Sequence, residues 1–151
     1  MPLSTERRLW FPNLTGDNHV VTSSESLRYN CIAWSYDGSQ TRAMWPAIPD
    51  DYFWPDGVRE EESVDSFASL FQRIGYVVCP SFEHEAGFQK IVIYAEDDDP
   101  LHVAHELPSG GWSSKLGDWE DIEHESPMTL ADGRYGRPVV AMRRSVMPKR
   151  E

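Results

Sequence analysis

Apolar residues recur at three- and four-residue spacing through Val64, Phe67, Leu70, Phe71 and Ile74, the clearest helical pattern in the chain. Glu60, Glu61, Glu62 and Ser63 open it with acidic residues that suit a helix's positive end, and Gly75 stops it. This is a core-facing amphipathic helix with no chemistry of its own. Tyr76 to Pro80 then reads as a short strand ended by proline, which makes Cys79 structural. Lys90-Ile91-Val92-Ile93-Tyr94-Ala95 is a strand of the buried kind, closed by the acidic turn Glu96 to Pro100. Leu101 to Leu107 and Trp112 to Gly117, joined by Pro108-Ser109-Gly110-Gly111, predict a β-hairpin. Period two places His102, Ala104 and Glu106 on one face of it, with Val103, His105 and Leu107 on the other. Asp118 to His124 is polar, Leu130 to Gly136 is rich in turn residues, and Arg137 to Arg143 holds a last strand.

The first half is less regular. Met1 to Glu25 reads as an arm, with Leu9-Trp10-Phe11-Pro12 as its apolar knot. A polar loop, Thr22 to Ser26, offers several N-caps before the short apolar run Ile32, Ala33, Trp34 and Tyr36, which Asp37-Gly38 ends. Cys31 therefore stands at the start of a helix. From Gly38 to Gly57 the chain is rich in Trp and Pro, a long loop that either wraps the core or forms a lid over a groove. No repeat or linker divides the chain, so residues 1–151 read as one α+β domain: an arm over 1–25, a core over 26–143 and a tail over 144–151. The expected architecture is a helix-borne cysteine packed on a small antiparallel β-sheet.

Composition narrows the function. With 40% hydrophobic and 12% aromatic residues the chain is globular. Its net charge of −11 argues against a nucleic-acid or anionic-membrane surface, both of which need clustered Lys and Arg. Two cysteines, Cys31 and Cys79, make neither a disulfide framework nor a zinc site of the CxxC kind. No apolar run reaches the length of a membrane span and the N-terminus has no signal pattern, so a cytoplasmic setting is expected. Export without a cleaved signal would leave the same sequence. Three neighbouring aspartates, Asp97 to Asp99, lack EF-hand spacing and read as a solvated turn. A metal site from His102, His105, His124 and Asp121 is awkward because His102 and His105 face opposite ways, so neither metal nor cofactor is expected. Ser113, Ser114 and Lys115 make a poor serine–lysine dyad.

The candidate chemistry is that of a thiol. A cysteine on a helix's first turn is biased toward thiolate by the unpaired N–H groups there, while buried free cysteines commonly act as small hydrophobes. A thiol nucleophile needs a base within reach and a third group to orient the base. The order here is cysteine on an early helix, histidine at a strand's start, then polar residues beyond the next strand.

Tyr29-Asn30-Cys31-Ile32-Ala33-Trp34, Phe53-Trp54-Pro55, the Ile93-Tyr94 strand, His102-Val103-Ala104, Gly111-Trp112-Ser113-Ser114-Lys115-Leu116-Gly117 and Asp121-Ile122-Glu123-His124 resemble an uncharacterised bacterial domain family. Its pattern runs YNCIAWA, HAA, WxSKLG and DIxH, and the likeness extends from Tyr29 to about Gly136. A more distant likeness is to papain-like hydrolases of the NlpC and CHAP kind, a fold-level analogy. These resemblances imply Cys31 as nucleophile and His102 as general base. For the third member, hairpin geometry favours Asp118, while Asp121 and His124 match the family pattern. Asn30 or Tyr29 would support an oxyanion hole at the Cys31 backbone N–H, with Trp34, Trp54 and Trp112 as candidate substrate contacts.

Two functions compete on this reading. One is a papain-like thiol hydrolase or acyl-transferase acting on an amide bond of a peptide or protein, as a peptidase, amidase or deamidase. The other is a non-catalytic, acidic interaction module, a partner-neutralising or decayed-enzyme domain.

Overall fold

The computed structural model describes residues 3–26, 30–37, 43–44, 52–55, 57–59, 61–116 and 119–146. In chain order its elements are a one-turn helix α1 (Thr5–Arg8), β1 (His19–Ser23), α2 (Cys31–Asp37) and the two-residue strands β2 (Ala43–Met44) and β3 (Tyr52–Phe53). Then come α3 (Val64–Gln72), β4 (Val77–Cys79), β5 (Phe88–Glu96), β6 (Asp99–Glu106), β7 (Trp112–Lys115) and β8 (Asp121–His124). A 3-10 turn (Pro127–Leu130) and β9 (Arg137–Ser145) complete it. Seven strands form a single sheet in the order β1-β8-β7-β6-β5-β9-β4, and every pairing in it is antiparallel. Strand dominates helix, and the long strands β5, β6 and β9 make the centre.

The amphipathic helix begins at Val64, four residues after the Glu60 at which the acidic run opens. Ser63 is its N-cap, its hydroxyl accepting from the Ser66 N–H at 3.2 Å, so Glu61 and Glu62 lie before the helix and exposed. Its periodic positions Phe67, Leu70 and Phe71 are buried as expected. Asp97 and Asp98 sit in the tight β5–β6 turn, and the Asp98 carboxylate accepts the first helical N–H, that of Val64, at 3.2 Å. That turn is therefore partly a cap for α3 and not a free acidic loop.

Both faces of the sheet are covered. On one, α2 and α3 pack Cys31, Ile32, Ala33, Phe67, Leu70 and Phe71 against Ile91, Ile93, Val103 and Met142. On the other, Val92, Tyr94, Ala104, Trp112 and Ile122 are covered by Leu3, Phe11, Leu14, Leu130 and Tyr135. The first 25 residues are thus more than an arm: β1 is an edge strand paired to β8, and Phe11 is fully buried. Nor is residue 144 tail, because β9 runs to Ser145 and lies between β5 and β4. Among the described residues no helix is long and apolar enough to cross a membrane.

Candidate functional site

Helix α2 lies over β6 and β7, and its first turn carries the expected nucleophile. Asn30 caps it, its side-chain oxygen accepting from the Ala33 N–H at 3.1 Å. The Cys31 thiol is enclosed, with the residue 8% exposed and the backbone N–H of Val103 directed at its sulfur. Burial pushes the thiol up to about 11. The backbone N–H of Val103, the charge of Lys115 and the backbone N–H groups of Ile32 and Cys31 pull it down, but they do not offset the loss of water. At neutral pH this is a protonated thiol.

Beneath the same turn lies a buried polar cluster. Lys115 has no exposed surface and donates Nζ–H bonds to the carbonyls of Trp119 (2.6 Å) and Ser26 (2.9 Å). Asp121 stands opposite it in the β7–β8 register and accepts a 2.7 Å bond from the Ser23 hydroxyl. One turn along α2, Ser35 donates to the Val103 carbonyl at 3.2 Å. Having spent its one proton there, Ser35 accepts from His105 Nδ1 at 3.3 Å, leaving His105 Nε2 as an acceptor. Burial lowers His105 to about 4, so its ring is neutral. Trp34 packs on that ring at 5.6 Å and donates its indole N–H to Ser113 Oγ at 2.8 Å.

His102 is not part of this arrangement. It belongs to the opposite face, where its ring stacks on Tyr135 at 4.1 Å and meets Tyr94 at 5.2 Å. The period-two assignment of His102 and His105 to opposite faces holds, but it is His105 that faces α2. Cys31 and His102 are therefore separated by the sheet and do not form a pair. The same separation removes His124 from the thiol, because it completes a buried relay with His102. Ser114 Oγ lies 2.9 Å from His102 Nε2 and 2.8 Å from His124 Nε2, and His124 Nδ1 donates to the Ser126 carbonyl at 2.8 Å. That last bond makes His124 Nε2 an acceptor for the Ser114 hydroxyl proton. Ser114 then accepts from His102 Nε2–H, which leaves His102 Nδ1 as a bare lone pair with no partner among the described residues. Burial, then the neighbouring His124, holds His102 well below the usual histidine range, and burial lowers His124 to about 4. The relay is neutral, and it braces β6, β7 and β8 from within.

The remaining candidates scatter. Trp112 is buried on the His102 side, edge-on to Phe82, which separates it from the thiol. Trp54 donates to the Val58 carbonyl at 3.0 Å and packs against Phe67 of α3, a core-wrapping role for that part of the aromatic loop. Tyr29 and Asp118 lie outside the described residues. Of the candidate site residues, the structure gathers Asn30, Cys31, Trp34 and Asp121 on the α2 face. Among the described residues no three His, Cys, Asp or Glu side chains converge as metal ligands.

What the sequence did not single out is a cleft of about 380 Å³ at the far end of α2. Trp34, Tyr36 and Ile74 wall it, and Ser35, Gln89, His105 and Arg144 supply its polar groups. The Arg144 guanidinium lies 4.6 Å over the Tyr76 ring and donates to the Ile74 carbonyl and Gln89 Oε1, both at 3.1 Å. Two of its five N–H donors are thus spent, both on neutral oxygens. Alternation along β9 was the signal available: Val140, Met142 and Arg144 share a face, and Met142 is in the α2–α3 core.

No curated protein and no solved structure matches this chain. A family model described as a domain of unknown function, DUF7689, matches residues 20–143, and the chain belongs to that family.

Proposed function

We propose that this domain is a binding module and that the cleft at the end of α2 is its recognition site, taking a carboxylate or another small planar anion. The observation that carries the reading is Arg144. In a chain of net charge −11, Arg7, Arg59, Arg137 and Arg143 each sit against a carboxylate; Arg144, like Arg8, Arg73 and Arg134, has none within ion-pair distance among the described residues, and it is the arginine that lines this cleft. Its three unspent N–H groups belong to a planar fork suited to a carboxylate. Contact with Tyr76 limits its freedom, and Trp34 and Tyr36 offer the apolar walls of a ligand site. Titrating the full chain with benzoate, followed by the backbone amide signals of Ser35, Gln89 and His105, tests this. Saturable shifts at those amides, weakened at least tenfold by Arg144→Gln and missing with benzyl alcohol, are expected. Equal binding by Arg144→Gln, or no saturable shift, would exclude the site.

A thiol hydrolase of papain-like architecture, acting on an amide bond in a peptide or protein, is the second reading. Its favouring observation is Cys31 on the first turn of a helix laid across antiparallel strands, beside the Lys115 ammonium and with Asp121 on the same face. It would need the thiol uncovered and a base other than His102, which makes it the weaker fit.

A further inference from the structure

Gln89 also borders a second opening, of about 310 Å³, which is lined mainly by apolar surface from Phe88, Leu107, Pro108 and Val146. Glu106 lies in its wall with the residue only 2% exposed. A carboxylate taken this far from water demands a compensating cation. Its side-chain partner is a weak one: Oε2 lies 3.1 Å from Nδ1 of His84, whose side chain is 54% exposed at the rim. Among the described residues Glu106 has no other side-chain hydrogen bond or ion pair. The nearby cations are committed elsewhere. Lys90 spends its Nζ on the Ser81 carbonyl (2.8 Å) and Glu85 (3.0 Å), and Arg143 holds the other Glu85 oxygen at 2.6 Å. Glu85 thus absorbs both cations of this region, and the buried carboxylate is left with a displaceable histidine.

We propose that this pocket is a cation site for a protonated primary amine on a short apolar chain, the chemistry shared by an alkylammonium ion and a lysine side chain. The ammonium takes the place of His84 against Glu106, and the methylenes lie along Phe88, Leu107 and Val146. The volume is at the low end for ligand sites, room for one such chain and little more. The field of a strongly acidic chain raises the local concentration of cations. This site is independent of the Arg144 cleft, and either can fail without the other.

The test is an amide-resolved titration of the full chain with n-butylammonium, and with N-acetyl-lysine methylamide as the peptide-borne form. Saturable shifts at Gly87, Gln89 and Leu107 are expected, with n-butanol producing none. Tenfold or tighter binding of the lysine derivative assigns the site to a partner's lysine, and equal binding assigns it to a free amine. Glu106→Gln should weaken binding at least tenfold, and so should Val146→Lys, which places a competing ammonium at the mouth on an exposed position. Should Glu106→Gln fail to fold, Val146→Lys decides. Undiminished binding in Val146→Lys, equal binding of butanol, or no saturable shift would overturn the proposal.

Discussion

Acidification from pH 7 to pH 5 should destabilise this fold by several kcal/mol, because it is braced by histidines that are buried and neutral. His105 and His124 protonate at about 4 in the folded chain, against about 6.5 once unfolded. Between those values the unfolded state binds more protons, so stability falls as pH falls through 6.5, and the loss is complete below about 4. The full gap is worth about 3 kcal/mol per ring, of which roughly 2 is lost by pH 5. His105 and His124 together therefore remove roughly 4 kcal/mol, and His102, lowered in the same direction, adds to it. Glu85, held below the usual carboxylate range by Arg143 and then Lys90, stays ionised in the folded chain across this window and adds only slightly, in the same direction, as its unfolded carboxyl begins to protonate near the acid end. For a chain of this length the melting temperature should drop by about 10 °C. Urea unfolding followed by tryptophan fluorescence at pH 7, 6 and 5, at constant ionic strength, measures the slope. His105→Gln should reduce it by about one proton. A stability that is flat or rising from pH 7 to pH 5 would mean the rings are solvated or charged in the native state, and would refute the reasoning.

Removing the centre of the relay should be costly as well. Ser114→Ala leaves His102 Nε2–H and His124 Nε2 without their partner, each a buried polar atom costing roughly 1–3 kcal/mol. A loss of about 2–4 kcal/mol in urea unfolding is expected, with alkylation of Cys31 unchanged because the relay lies across the sheet from it. Gly136→Ala should cost about 2 kcal/mol or more, since φ is +70° there and an added Cβ would overlap the Ala95 carbonyl. Gly110→Ala, at φ +95° but with open space around it, should cost only about 1 kcal/mol by the same assay.

Where each element could be read from the sequence depended on how much apolar pattern it carries. Phe67, Leu70 and Phe71 repeat with the helical period, and Ile91 to Ala95 is a run long enough to announce a buried strand, so α3 and β5 were plain. β8 is Asp-Ile-Glu-His, with one apolar residue in four, and β1 begins on a histidine; neither carries a signal until it is paired. The period-two alternation of β6 assigned His102 and His105 to opposite faces, which the structure bears out. Which of the faces meets α2 was not legible, because both are buried and both carry a histidine beside small or branched apolar residues. The space beside His102 is filled by the packing of Tyr94 and Tyr135. Arg144 was assigned to a tail because the apolar run ends at Met142, although the strand continues through backbone pairing of Arg144 with Gln89. The expectation of an uncharacterised domain family agrees with the family model over residues 20–143; a pairing of Cys31 with His102 is not formed.

The account depends most on Cys31 being enclosed and protonated, leaving recognition as the domain's work. The direct measurement is the rate of iodoacetamide labelling at Cys31 from pH 5 to pH 10, in a Cys79→Ser background, with and without His102→Ala. The account predicts negligible labelling of the folded protein below pH 9, the same in both proteins, and rapid labelling once urea unfolds the chain. Labelling that is fast below pH 7 and lost in His102→Ala would contradict it, and would establish a working thiol–histidine pair.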